Sequence, residues 1–174
     1  MESIRTSRLF LRPLSQADAP AMFAIMADPD TMRFWDWPAF TDPDTVEEIV
    51  AAQLADMEAG NALYWAVCLQ KDGPAIGCCD LSEIDRHHAR AEVGFLFGRE
   101  SWGQGYATEA MTAIADYAFD ALGLQRLWAR FHAGNDKSRA LLERLGFAYE
   151  GTLRGHVLRE GVRRDCILYG RPGS

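Results

Sequence analysis

Residues 92–110, Glu-Val-Gly-Phe-Leu-Phe-Gly-Arg-Glu-Ser-Trp-Gly-Gln-Gly-Tyr-Ala-Thr-Glu-Ala, are the most informative segment of the chain. Its apolar side chains alternate with their neighbours as far as Phe97, which predicts a β-strand. Gly103 and Gly105 follow, and apolar residues then recur at helical spacing, which predicts an α-helix from Tyr106. A helix that begins at glycines presents unpaired N–H groups and the positive end of its dipole. The stretch therefore predicts an anion site, above all a phosphate site.

Three classes of phosphate-binding loop join a strand, a glycine turn and a helix. A nucleotide P-loop requires a Lys directly after its last Gly, and no Lys follows Gly105. A dinucleotide-binding fold requires a third Gly, where this chain has Thr108, and an acidic residue in the next strand. That strand, predicted at residues 126–132, contains no acidic residue.

The third class is the acetyl-CoA pyrophosphate loop of the GNAT acyltransferases, whose pattern is Gln or Arg, two residues, Gly, one residue, then Gly or Ala. The stretch resembles that loop, with Glu100 in place of the usual Gln or Arg. The other interpretation is an ordinary strand–helix turn. Residues 135–147, Asn-Asp-Lys-Ser-Arg-Ala-Leu-Leu-Glu-Arg-Leu-Gly-Phe, resemble the second GNAT signature. They also predict a helix unaided, because Asn135 suits an N-cap and Gly146 suits the residue that ends a helix.

The resemblance covers essentially the whole chain and points to the branch that contains the ribosomal-protein N-terminal acetyltransferases and their small-substrate relatives. Its other matches are residues 6–13, 28–35, 102–109 and 150–154. The resemblance implies an α+β fold with a mixed, mostly antiparallel central sheet flanked by helices, and it implies acetyl-CoA as the donor. It does not identify the acceptor.

The predicted order of elements agrees, β-α-α-β-β-β-α-β-α-β-β. A first strand is predicted over Ser3–Leu14, and a helix follows to about Ala27. Residues 28–43 are rich in Pro, Asp and Trp, which predicts an irregular connection. Asp72-Gly73 predicts a hairpin turn, and a terminal hairpin is predicted to turn near Glu160-Gly161.

Composition predicts a single domain, residues 1–174, because a chain of this length buries roughly 70% of its unfolded surface in one core. The chain is 48% hydrophobic and 25% charged. Neither a membrane span nor a signal peptide is expected, so the predicted location is cytoplasmic.

The four cysteines have no zinc-binding spacing, so reduced thiols and no metal are expected. A net charge of −7 disfavours nucleic acid and favours a cationic acceptor. Either a monomer or a homodimer is expected.

Two residues are candidates for the chemistry. Glu92 opens the central strand, where the resemblance implies an acid that acts as general base; otherwise it is a surface or salt-bridged carboxylate. Many relatives protonate the leaving thiolate with a Tyr, but that position is Leu142 here. Enzymes of the ribosomal-protein branch instead use a Ser on this helix, and Ser138 matches it. Alternatively, Ser138 only bonds the helix backbone.

The other site residues follow from the same resemblance. Backbone N–H groups of residues 94–98 are expected to polarise the thioester carbonyl. The residues expected to hold acetyl-CoA are Phe95, Leu96, Phe97, Gly103, Gln104, Gly105, Tyr106, Ala107, Thr108, Asn135 and Ser138. An aromatic cluster in the irregular connection, Trp35, Trp37 and Phe40, either binds the acceptor or packs the loop against the core.

The resemblance thus implies an N-acetyltransferase that moves an acetyl group from acetyl-CoA to a primary amine by direct attack in a ternary complex. A peptide or protein N-terminal α-amine is the first candidate acceptor. The alternatives are a small amine, such as an antibiotic or polyamine, and a CoA-binding module without catalysis.

Overall fold

One eight-stranded sheet runs through the computed structural model, which describes residues 1–173. The strands are β1 (Ile4–Arg5), β2 (Phe10–Pro13), β3 (Leu63–Cys68), β4 (Ala75–Asp85), β5 (Arg90–Phe97), β6 (Arg126–His132), β7 (Ala148–Arg159) and β8 (Val162–Pro172). The α-helices are α1 (Ala19–Met26), α2 (Pro43–Glu58), α3 (Tyr106–Asp116) and α4 (Asp136–Arg144).

The strand order is β1-β2-β3-β4-β5-β6-β8-β7. Every neighbouring pair is antiparallel except β5 and β6, which are parallel. A parallel pair needs a crossover connection, and here α3 provides it. The predicted mixed, mostly antiparallel α+β fold is confirmed.

The two parallel strands stay together for only three residue pairs, from Arg90 opposite Arg126 to Glu92 opposite Trp128. Beyond Glu92, β5 continues beside β4 alone and β6 beside β8 alone. The sheet therefore opens into a wedge between β5 and β6, and Glu92 lies at its closed end.

Apolar side chains cover both faces of the sheet, which leaves the wedge between two cores. The larger core packs α3 against the sheet and includes Trp65, Ile114 and Leu127. The smaller core packs α1 and α2 against the other face and includes Met22 and Val50. Polar side chains at the wedge are thereby enclosed by the two cores and by residues of the connection between α1 and α2.

The prediction of one strand over Ser3–Leu14 is wrong, because the chain turns back between β1 and β2. The turn closes where the Thr6 amide donates to the Leu9 carbonyl oxygen over 3.0 Å. In the predicted irregular connection, Thr31–Phe34 forms a single 3₁₀ helix. Within residues 1–173, no helix is long and apolar enough to cross a membrane.

Candidate active site

A cleft of about 310 Å³ occupies the wedge between β5 and β6. Glu92 and Phe95 line it from β5, while Asn135 and Ser138 line it from the start of α4. The Asn135 side chain caps α4 by accepting a hydrogen bond from the Ser138 amide, 3.2 Å away. This cap orients the first turn of α4 and so fixes where Ser138 faces the cleft.

The open edge of β5 presents backbone groups to the wedge. The Gly98 amide donates to the Ile76 carbonyl oxygen in β4. Because successive residues of a strand direct their N–H groups to opposite sides, the amides of Phe95 and Phe97 point away from β4, into the wedge. On that side the Trp102 indole donates to the Phe97 carbonyl oxygen over 2.9 Å. The Phe95 N–H remains available to a ligand carbonyl.

The glycine loop ends in an open helix N-terminus, as predicted. Gly103 and Gly105 adopt φ angles of +72° and +78°, which strain any residue with a Cβ. The first amide of α3 with a backbone partner is that of Glu109, which donates to Gly105. Among residues 1–173 no group accepts from the amides of Tyr106–Thr108, so three donors are free at the start of the helix, as an anion site requires.

Cationic side chains border this helix end although the chain is acidic overall. The Arg144 guanidinium donates to the Thr108 hydroxyl over 3.3 Å, and the Lys137 ammonium lies 4.5 Å from the centre of the Trp102 ring. The Arg8 guanidinium donates to the Gln104 carbonyl oxygen over 2.8 Å. Lys137 and Arg144 thus add positive charge beside three free amides, while the charge of Arg8 is balanced by Glu109. This arrangement suits a ligand that carries several phosphates.

A partly exposed ion pair, Arg8–Glu109, fixes the glycine loop to the turn between β1 and β2. The Glu109 carboxylate accepts from the Thr6 hydroxyl at 2.6 Å, the Ser7 hydroxyl at 2.9 Å, and both the amide and the guanidinium of Arg8. Burial works against ionisation, but these hydrogen bonds lower the pKa of Glu109 to about 2. The same contacts hold the N-terminal chain in its turn, which is why a single first strand does not form.

At the closed end of the wedge, Glu92 lies in a partly buried acidic environment. Arg130 is its nearest cation, with Nε 3.7 Å from Oε1. Burial raises the pKa of Glu92 to about 7, against the effect of Arg130 and with the support of Asp80, Asp36 and Glu83. A carboxylate with a pKa near neutrality suits a general base, because it is both ionised and basic at the working pH.

Asp36 connects the irregular connection to β6. Its carboxylate lies 3.2 Å from both Arg130 Nη atoms and 2.8 Å from His132 Nε2. Burial opposes ionisation, but these partners hold the pKa of Asp36 below its ordinary value. His132 is 3% exposed, and its Nδ1 has no hydrogen-bond partner among residues 1–173.

The structure separates Trp37 from the other two predicted acceptor-binding aromatics, because Trp35 and Phe40 both pack against the smaller core. Trp35 lines the cleft. Trp37 is 66% exposed, and Phe40 packs against the core under α1 and α2, where its amide donates to the Met26 carbonyl oxygen. Of the three, the structure brings only Trp35 to Glu92 and Ser138.

Arg159, at the tip of the β7–β8 hairpin, fixes the backbone that carries Trp35. Its Nη1 donates to the carbonyl oxygens of Met32, Arg33 and Trp35 over 2.8–3.0 Å. The residue is 9% exposed. Hydrogen bonds from a buried charged donor stabilise strongly, because losing the donor leaves buried carbonyl groups without partners.

Arg159→Met should therefore loosen the acceptor side of the cleft and spare the donor side. We expect the KM for the amine to rise about tenfold and the free energy of unfolding to fall by about 1–3 kcal/mol, with an unchanged KM for acetyl-CoA. Arg163→Met, an exposed arginine of the same hairpin, is the matched control. Equal increases in both KM values would contradict this role.

The structure also places the residue that replaces the usual tyrosine. Leu142 lies one helical turn after Ser138, is 1% exposed and lines the same cleft. An apolar side chain there can neither donate nor accept a proton. Ser138 is thus the hydroxyl that α4 presents to the wedge, and its predicted role as acid stays a prediction.

Several residues of this site were not predicted from the sequence, because the residues that surround them lie far away along the chain. They are Arg8, Asp36, Asp80, Glu109, Arg130, His132, Lys137, Arg144 and Arg159. Their signal in the sequence was weak: charged residues at apolar-patterned positions such as Arg130 and His132 in β6. Among residues 1–173, no group of three or more His, Cys, Asp or Glu side chains is arranged to hold a metal ion.

The chain is similar to known acetyltransferases. Residues 8–148 match the family described as acetyltransferase (GNAT) domain. The uncharacterized N-acetyltransferase p20 of Bacillus licheniformis is 31% identical, over 97% of this chain and 95% of its own length. The spermidine N(1)-acetyltransferase of Escherichia coli (strain K12) is 29% identical, over 90% of this chain and 82% of its own length.

A solved structure shares the fold. RimL, the ribosomal L7/L12 α-N-protein acetyltransferase in complex with coenzyme A, superposes with a TM-score of 0.89 at 20% identity, covering 98% of both chains. The family match spans most of the chain. The chain belongs to the GNAT family of acetyl-CoA-dependent N-acetyltransferases.

Proposed function

We propose that this protein transfers the acetyl group of acetyl-CoA directly to a primary amine held in the cleft, with a peptide or protein N-terminal α-amine as the first candidate acceptor. One observation carries the proposal: Glu92, with a pKa raised to about 7, faces the same cleft as the Phe95 amide and Ser138. Base, carbonyl-binding donor and hydroxyl donor therefore converge where β5 and β6 separate.

The donor side follows the shape of the wedge. The pyrophosphate binds the free amides of Tyr106–Thr108, and Lys137 and Arg144 add positive charge for the remaining phosphate. The pantetheine arm then passes along the open edge of β5. The thioester carbonyl accepts a hydrogen bond from the Phe95 amide, which stabilises the oxyanion that forms during attack.

The chemistry needs one proton removed and one supplied. Glu92 accepts a proton from the acceptor ammonium, directly or through water, and the free amine attacks the thioester carbon. As the tetrahedral intermediate collapses, the C–S bond breaks and the Ser138 hydroxyl protonates or orients the departing thiolate. An α-amine, with a pKa of about 7.7–8.0, differs little from Glu92 in basicity, so the proton transfer is nearly balanced.

One relative supports a small amine as the second candidate. The spermidine acetyltransferase matches most of this chain, and its acceptor is a polyamine. A cleft of about 310 Å³ lined by Asp36, Asp80 and Glu92 accommodates either a terminal residue of a peptide or a slender amine.

The test is to incubate the protein with acetyl-CoA and a panel of N-terminal peptides, polyamines and aminoglycosides while free thiol is measured. Release of thiol that depends on one class of amine identifies the acceptor. Binding of coenzyme A by calorimetry without thiol release from any amine would instead indicate a non-catalytic module.

Ser138→Ala tests the acid. We expect kcat to fall about tenfold, roughly 1.4 kcal/mol, because coenzyme A thiolate is already a good leaving group. The affinity for acetyl-CoA should hardly change, since the interaction acts mainly in the transition state. Helix α4 should survive because Asn135 supplies its cap.

Ser138→Thr keeps the hydroxyl and should restore much of the rate. Wild-type turnover in the Ala variant, measured where chemistry limits the rate, would remove Ser138 from the mechanism.

A further inference from the structure

Asp80 lies in a notch of the sheet that a glycine creates. It is opposite Gly94 in the register of β4 and β5. A Cβ built at Gly94 would lie 2.9 Å from Asp80 Cγ and closer still to Oδ1, so the carboxyl group occupies the space of the missing side chain. From this notch Asp80 lines the cleft beside Tyr64 and Ser82.

The charges around this carboxylate are not balanced. Arg130 is the arginine of the cleft, and it pairs with Asp36 and lies 3.7 Å from Glu92. Among residues 1–173, no Lys, Arg or His forms an ion pair with Asp80. Burial raises the pKa of Asp80 to about 6, with the Ser82 hydroxyl opposing it, so the group is mostly ionised at neutral pH.

The neighbours of Asp80 cannot supply the missing charge. Tyr64 is opposite Asp80 in β3, and burial together with the nearby Asp80 charge raises its pKa, so the phenol stays neutral. Glu92 lies diagonally across the ladder, opposite Ser82. A partly buried carboxylate without a cation is costly unless a ligand provides one.

We propose that Asp80 binds the positively charged ammonium group of the acceptor and thereby selects cationic amines. This inference rests on the proposed function, since it places the acceptor in the same cleft. Side chains at diagonal positions of an antiparallel ladder are about 7–8 Å apart by Cα, so an ammonium at Asp80 can contact both carboxylates. Asp80 holds the cation, and Glu92 then takes its proton.

The test measures binding rather than turnover. Benzylamine is protonated at neutral pH, and benzyl alcohol is its uncharged counterpart of the same shape. Both are titrated by calorimetry into the protein saturated with coenzyme A, which carries no acetyl group to transfer. Asp80→Asn should lower the affinity for benzylamine about 10- to 100-fold, the range for a hydrogen bond between charged groups. It should leave the affinity for benzyl alcohol unchanged.

A second variant tests the notch itself. Gly94→Ala places a methyl group against the Asp80 carboxylate and should also lower the affinity for benzylamine, although the charge of the site is unchanged. Asp85→Asn, in the same strand but paired with Arg90, is the control and should bind benzylamine as wild type does.

Equal benzylamine affinity in wild type and Asp80→Asn overturns the inference, and so does a wild type that binds no benzylamine. The thiol-release assay on wild type is independent of either result. Turnover without an Asp80 effect supports acetyl transfer and removes Asp80 from recognition. Cation binding at Asp80 without turnover of any amine contradicts the proposed function and leaves Asp80 as a cation site without an acceptor role.

Discussion

Gly105→Val is expected to abolish measurable acetyl-CoA binding in a protein that remains folded. Gly105 is the N-cap of α3 at φ +78°, and a branched side chain there meets two obstacles. It strains the left-handed backbone, and it places methyl groups where the pyrophosphate must approach the amides of Tyr106–Thr108. The loss should be at least about 100-fold in affinity for coenzyme A by calorimetry, or about 2.7 kcal/mol.

A matched variant separates strain from binding. Gly60 has a φ of +76°, and nothing lies within 4 Å of the position of its Cβ. Gly60→Val therefore carries the same backbone strain at the end of α2, far from the glycine loop. It should lower the melting temperature about as much as Gly105→Val does and bind coenzyme A normally. Unchanged affinity in a folded Gly105→Val protein would refute the phosphate site.

The fold was predictable because its signals are local. The alternation that ends at Phe97, the turn glycines and the cap at Asn135 each act within a few residues, and those elements appear where the periodicity places them. The first strand was mispredicted because its shape depends on Glu109, 103 residues from Thr6. No pattern near Thr6 reveals that partner.

The cleft was less predictable for the same reason. Arg159 contacts Met32 across 127 positions, and the free carboxylate of Asp80 depends on the missing side chain of Gly94. From the sequence alone, Arg159 is expected to be a charged residue on the surface of a hairpin, and Gly94 a residue that weakens a strand. The aromatic residues show the converse: Trp35, Trp37 and Phe40 are close in sequence, but Trp37 is exposed while Trp35 and Phe40 pack against the smaller core, and only Trp35 also lines the cleft.

Glu92→Gln should lower kcat/KM for the amine by about 10²–10⁴, the range for loss of a general base, and leave the affinity for coenzyme A unchanged. The wild-type rate should rise with pH through about 7 as Glu92 ionises, and the Gln variant should lack that step. Its deficit should shrink at high pH, where the amine deprotonates unaided. Glu58→Gln, an exposed substitution of the same kind, is the control. An equal loss at every pH would assign Glu92 to substrate binding instead.

The same substitution has a consequence for stability that a mere surface carboxylate would not share. The pKa of Glu92 is raised in the folded protein from 4.5 to about 7, so between these values the folded state binds a proton that the unfolded state has lost. Ionised Glu92 therefore destabilises the fold, and wild-type stability should fall as pH rises through this window. Glutamine is never ionised, so Glu92→Gln should melt relatively higher than wild type at pH 8 than at pH 4.5. A variant that loses activity while gaining stability at pH 8 has lost a base whose burial in the ionised form destabilises the folded protein. Parallel melting curves at both pH values would mean that Arg130 already neutralises Glu92, which leaves it unsuited to accept a proton.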